Sequence, residues 1–138
     1  METPLKTKSF RVVFWIMLFF LSGDTLDTFY RFVVIGYFGP GASFPGSVSA
    51  IKPNVFDLLF FLLVQIGIVF GIFNLYKLKK IGGYYFLFSN ILFLIYSSVV
   101  GPISEIGISN IFFPVFFYFS LYVFFAVCVP WFYSERFK

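Results

Sequence analysis

Four apolar stretches, each near the length that crosses a bilayer as a helix, limit what this chain can fold into. The hydrocarbon core of a membrane is about 30 Å thick and takes about 20 mostly apolar residues as α-helix. Val55 to Tyr76, Tyr84 to about Ile103, and Ile111 to Phe132 meet that length directly. The first stretch is harder. Arg11 is followed by ten uncharged residues, Val12 to Leu21, before Ser22, Gly23, Asp24, Thr25 and Asp27. Such a run makes about 15 Å of helix, half a bilayer. To cross, this helix has to carry Asp24, and Asp27 with it, into the far leaflet. The predicted spans are about 10–30, 55–76, 84–103 and 111–132, in a single domain covering 1–138.

Composition supports lipid as the solvent. The chain is 60% hydrophobic and 12% charged, where soluble domains carry about 25% charged residues. Its 25 phenylalanines read as apolar bulk. Single-strand binders need a basic groove beside their aromatics. Here Lys and Arg are split among chain ends and loops, so nucleic acid is excluded as a partner. The chain has no His and one cysteine, Cys128. That removes His-ligated haem and zinc, Ser-His and Cys-His catalysis, and paired-cysteine redox chemistry. No metal site and no cofactor is expected. Cys128, in the run Phe124 to Val129, reads as a small hydrophobe.

Basic residues orient the spans. With the N-terminus inside, the cytoplasmic segments hold Lys6, Lys8, Arg11, Lys77, Lys79, Lys80, Arg136 and Lys138. Of the ten basic residues, Arg31 and Lys52 remain outside. Asp24, Asp27, Asp57 and Glu105 lean outward, while Glu2 and Glu135 stay inside. Both termini are therefore expected on the cytoplasmic side of a cell membrane, of the bacterial inner-membrane type. A cleaved signal peptide is the competing reading of Lys6, Lys8, Arg11 and the short apolar run. Leu21 is a poor residue three before a cleavage site, which argues against it.

Local signals agree with the spans. Asn54 caps a helix whose first turn holds Asp57 near the positive dipole end. Ser109 or Asn110 is the expected cap of the last span, with Pro114 in its first turn. Trp131 and Tyr133 close that span as interfacial anchors. Gly39, Pro40, Gly41, Pro45, Gly46 and Pro53 mark 37–54 as an irregular external loop. Short links make consecutive helices antiparallel neighbours. The predicted fold is an all-α integral membrane protein, an up-down-up-down four-helix bundle.

Chemistry can gather at few places. Asp24, Asp27, Thr28 and Arg31 share a helix face, and Asp27 and Arg31 are spaced to pair. Charges at membrane depth usually face a bundle interior or a wet cavity. The alternative is that the helix ends near Gly23 or Asp27 and leaves an interfacial salt bridge. Gln65 lies at mid-bilayer, Ser120 reaches a similar depth, and Ser97 is placed near the level of Asp24. Asp24, Asp27, Arg31, Gln65, Ser97 and Ser120 are the candidate polar pocket. Gln65 and the serines have a plainer reading as hydrogen-bonded glue between helices, and a serine can bond its own backbone. Gly67 and Gly71 form a GxxxG that permits close helix contact, within the chain or between copies. Asn74 lies near the inner end of the second span and Asn90 about a third of the way into the third from the inside; these and the Lys77 to Lys80 cluster need no functional account.

In size, number of spans and acidic first helices, the outline resembles the DoxX-like proteins and the sterol-isomerase/sigma-2 (EXPERA) group. The EXPERA site implies acidic residues and a His inside the bundle, and this chain has no His. The resemblance implies a lipid-like or quinone-like ligand and carries no residue across.

Three functions compete. A non-enzymatic bundle binding lipid or a membrane-protein partner, as an accessory subunit or homo-oligomer, fits the lack of catalytic groups. A small oligomeric transporter or permeation unit draws on Asp24, Asp27 and Gln65, without the inverted repeat of secondary transporters. A lipid-modifying enzyme needs Asp24 or Asp27 as acid or base, and Arg31 opposes that. The first is the expected function.

Overall fold

A computed structural model describes residues 4–41, 52–101 and 108–138. Among them the regular structure is helical throughout, with four helices long and apolar enough to cross a membrane: Lys8–Tyr37, Val55–Tyr76, Ile81–Val99 and Phe112–Phe132. Most of the expected external loop, and Glu105, lie outside the described residues.

The first helix, α1 (Pro4–Phe29), does not stop at its acidic residues. It passes into a π-helical stretch, Tyr30–Tyr37, so the span runs beyond residue 30. Phe38 N–H closes this stretch onto the Val33 carbonyl at 3.0 Å. A helix of 30 residues is about 45 Å long, the thickness of a bilayer with its headgroups. Its polar side chains bond locally. Thr25 Oγ1 donates to the Leu21 carbonyl at 2.7 Å, and Arg31 Nε donates to Asp27 at 3.0 Å.

Helix α2 (Val55–Tyr76) begins with the cap that its sequence announces. Asp57 N–H donates to Asn54 Oδ1 at 2.8 Å, and Asn54 N–H returns a bond to Asp57 Oδ2 at 3.2 Å. After the turn at Lys77–Lys80, α3 (Ile81–Val99) packs on α2 through small residues. A Cβ on Gly71 would lie 2.7 Å from the Gly82 carbonyl oxygen, and one on Gly82 would lie 2.4 Å from that of Gly71. A Cβ on Gly67 would meet Ser89 Oγ at 2.3 Å. Both glycines of the GxxxG are thus covered within the chain, by α3.

The last span is interrupted. A 3-10 turn, Ile108–Ile111, leads into α4 (Phe112–Val123); a π segment, Phe124–Cys128, leads into α5 (Val129–Phe132). Ile111, not the expected Ser109 or Asn110, occupies the N-cap of α4, with no side-chain cap bond. Pro114 falls in its first turn, where the missing N–H has no carbonyl to serve. Pro130 acts otherwise. It has no N–H for the Ala126 carbonyl, and Val129 N–H reaches back to Phe124 in the wider π pattern. Gly83 of α3 packs on that carbonyl so closely that a Cβ would stand 1.7 Å from its oxygen.

The beginning of α1, the α2–α3 turn and the tail after α5 meet at one end of the molecule. The ring of Phe10 packs edge-on against Tyr133 (5.3 Å) and Phe137 (6.1 Å). Tyr133 OH and Ser9 Oγ are 2.9 Å apart. Lys138 N–H donates to the Leu78 carbonyl at 2.8 Å and Lys80 N–H to that of Lys138 at 3.0 Å. Leu78 turns with a φ of 61°. Tyr133, expected as an interfacial anchor, is instead buried here, because the tail folds back over α1. Trp131 remains half exposed and donates its indole N–H to Tyr84 OH at 2.8 Å. This closed end is sealed by backbone bonds and aromatic packing together.

Candidate functional site

Each of the four spans carries a polar side chain near its midpoint: Asp24 in Lys8–Tyr37, Gln65 in Val55–Tyr76, Asn90 in Ile81–Val99 and Tyr122 in Phe112–Phe132. Two of them touch. Tyr122 OH donates to the Asp24 carboxylate, across 98 residues of sequence. The Tyr122 ring is set by its neighbours, with Phe86 edge-on at 5.3 Å, Phe20 at 6.3 Å and Phe119 at 6.4 Å. Asp24 follows Met17 and Leu21, both fully buried, on the face that α1 turns inward.

Gln65 lies within about one turn of that depth, on the side of the far end. The rings of Phe32 and Phe29 lie 4.2 and 6.1 Å from Phe61 of α2, which fixes the two helices' register. From the closer contact, Phe32 on Phe61, toward the closed end, Asp24 is about 12 Å along α1 and Gln65 about 6 Å along α2. Gln65 is 8% exposed, lies between buried Val64 and Ile68, and makes no side-chain hydrogen bond with the described residues. Its amide is not among the buried polar atoms left without a partner, which among the described residues is Ser97 Oγ alone, so the amide reaches the edge of the packed core.

The other candidates are placed elsewhere. Asp27 and Arg31 form an ion pair with side chains 58% and 63% exposed, away from Tyr122. Ser120 is exposed and donates to its own helix at Phe116, 2.8 Å away. It shares the depth of Tyr122 but, about 200° around the helix, faces the other way. Ser97 is fully buried, with no partner for its hydroxyl among the described residues. Phe93 of α3 packs edge-on with Phe32 at 5.5 Å, which puts Ser97 about one turn beyond Phe32, far along the axis from Asp24. Asn74 and Asn90 each donate to the carbonyl four residues back, Phe70 and Phe86, at 2.8 Å.

A second tyrosine–carboxylate contact lies toward the far end. Tyr96 OH donates to Asp57 Oδ1 at 2.9 Å, while the other oxygen of Asp57 holds the Asn54 cap. It ties α3 to the beginning of α2 and leaves that carboxylate committed. Neither Tyr96 nor Tyr122 stood out from the sequence, where both sit among other aromatics. The one available signal was that Tyr122 occupies the centre of its span.

Beyond Tyr122 the molecule opens. No residue of α4 is buried, and Phe112, Phe113, Phe116 and Phe117 are exposed. Asp24 and Tyr122 thus sit where the tight packing of the closed end gives way to a loosely held helix. Among the described residues no three side chains gather that hold a metal ion. A carboxylate, a phenol and an amide within about one turn of each other in depth can accept and donate hydrogen bonds to a polar group entering from the bilayer. No protein-family model, curated protein or solved structure matches the chain, so no family match supports the outline it shares with the DoxX-like and EXPERA proteins.

Proposed function

We propose that this chain is a non-enzymatic four-span membrane protein that holds the polar head of a lipid-like molecule at mid-depth, between Asp24, Tyr122 and Gln65. The observation that carries this reading is the Asp24–Tyr122 hydrogen bond at the middle of two spans. Polar groups at that depth are expensive and are retained where they serve a ligand or a pathway. The amide of Gln65, near the middle of α2, supplies donors and an acceptor within about one turn of that level. The exposed face of α4 leaves a lateral approach for an apolar chain.

In this reading the fold is an up-down-up-down bundle. The closed end, with Lys8, Arg11, Lys77, Lys79, Lys80, Arg136 and Lys138, faces the cytoplasm of a bacterial-type inner membrane, by the bias of basic residues. The proposed role is that of a lipid-binding accessory subunit.

The test is ligand retention by variants of the purified protein, read by extracting bound lipid and weighing it against protein. Asp24→Asn and Tyr122→Phe are expected to lose the ligand, and Gln65→Leu to weaken it. Asp27→Asn is expected to keep it. Equal loss from Asp24→Asn and Asp27→Asn sinks the site, as does equal retention. Proton- or ion-driven flux through liposomes that depends on Asp24, with no bound lipid, favours permeation instead.

A further inference from the structure

The Asp27–Arg31 ion pair presents a problem that the mid-depth site does not solve. Its side chains are 58% and 63% exposed, yet its register on α2 sets it within the length of that span and not at its end. Phe29, between the two charges, and Phe32, just after Arg31, pack on Phe61, about 9 Å inside the start of α2. Arg31 does not extend toward the headgroups, as a lone arginine near a helix end would. Its Nε reaches back one turn to Asp27, at 3.0 Å. Around the pair stand Leu26, Tyr30 and Val34, also exposed. One turn before Asp27 on the same stripe is Gly23, and a Cβ built on it meets nothing within 4 Å.

Charges at this depth normally turn inward to a bundle or across to a partner. Here the inward face of α1 is already taken by Met17 and Leu21. The GxxxG of α2, the other feature suited to a contact between copies, is covered by α3. We infer that the α1 stripe of Gly23, Asp27 and Arg31 docks against the same stripe of a second copy of this chain.

The occupant follows from charge complementarity. Each stripe carries one cation and one anion a single turn apart. Two copies in the same membrane orientation, related by a two-fold axis along the membrane normal, place Asp27 of each within reach of Arg31 of the other, an axial offset of about 6 Å. The pair then trades a lipid-facing bond for bonds shared across an interface. Gly23 lets the two backbones approach, as small residues do in membrane helix dimers.

The experiment measures self-association of the full chain in liposomes across a range of protein densities, by single-molecule photobleaching. Wild type is expected to be dimeric at low density. Asp27→Arg alone and Arg31→Asp alone are expected to weaken dimerisation about tenfold or more. Mixed together, the two variants are expected to recover the dimer, since one contributes two cations and the other two anions. Gly23→Leu is expected to abolish the dimer while leaving helicity and the unfolding midpoint unchanged, because its side chain meets open space within the chain. That variant separates a lost interface from a lost fold. A wild type that stays monomeric at every density overturns the proposal. So does a dimer indifferent to these changes, or a stripe that captures a different polypeptide and never its own copy.

Discussion

The two halves of the molecule hold together by different means. At the closed end, backbone meets backbone: Gly71 on Gly82, Gly83 on the Ala126 carbonyl, and Lys138 on Leu78 and Lys80. Toward the other end, contacts run through side chains: Phe32 stacked on Phe61, Tyr96 bonded to Asp57, and α4 with no buried residue. Lipid tails are as apolar as leucine, so burying a phenylalanine in a bilayer protein gains little by itself. Close van der Waals fit and hydrogen bonds do the holding. Glycines at the closed end supply that fit, and the phenylalanines of α4 do not. The mid-depth site sits at the boundary, where Tyr122 is the last residue of the loose segment to reach across the bundle.

Substitutions can sharpen this contrast or break it. The largest effect is expected at Gly83→Ala, whose new Cβ runs into a backbone oxygen that has no room to move. A loss of about 3 kcal/mol in the unfolding free energy, measured by denaturant titration in detergent, is expected. Gly67→Ala adds the same methyl group against a Ser89 hydroxyl that can rotate away, and is expected to cost less than about 1 kcal/mol. If Gly67→Ala proves as harmful as Gly83→Ala, backbone contact is not what distinguishes the closed end. Next in size is Asn54→Ala. It removes the cap of α2 and is expected to cost about 1 kcal/mol in the same titration. Tyr96→Phe, which removes one hydrogen bond to Asp57, is expected to cost a similar amount. The smallest effect is expected at Phe113→Ala, on the exposed segment of α4. A change within about 0.5 kcal/mol is expected, and a loss as large as that of Gly83→Ala contradicts a loosely held outer α4.

Local features were legible in the sequence and long-range ones were not. Hydropathy marks the spans because one residue run decides each. Asn54 and Asp57 announce their cap for the same reason. The end of α1 was harder, since Asp24, Asp27 and Arg31 resemble a stop. The helix continues because its polar groups are satisfied in place: Thr25 on Leu21, Asp27 on Arg31, and Asp24 on a tyrosine from the last span. That last bond joins residues 98 apart, and nothing local to either one announces it. Ser120 shows the limit of reading depth without facing. It lies level with Tyr122 yet looks outward, because two residues turn a helix by about 200°. Tyr133 shows the same limit for the tail, whose fold back onto Phe10 and Ser9 no window of sequence reveals.

The central claim is that Asp24, Tyr122 and Gln65 together hold a ligand. Native mass spectrometry of the protein, extracted gently from the membrane in which it was made, tests it most directly. The expected result is a single small molecule bound per chain in wild type and absent from Asp24→Asn, with both proteins equally helical. Bare wild-type protein, or a molecule retained unchanged by Asp24→Asn, contradicts it.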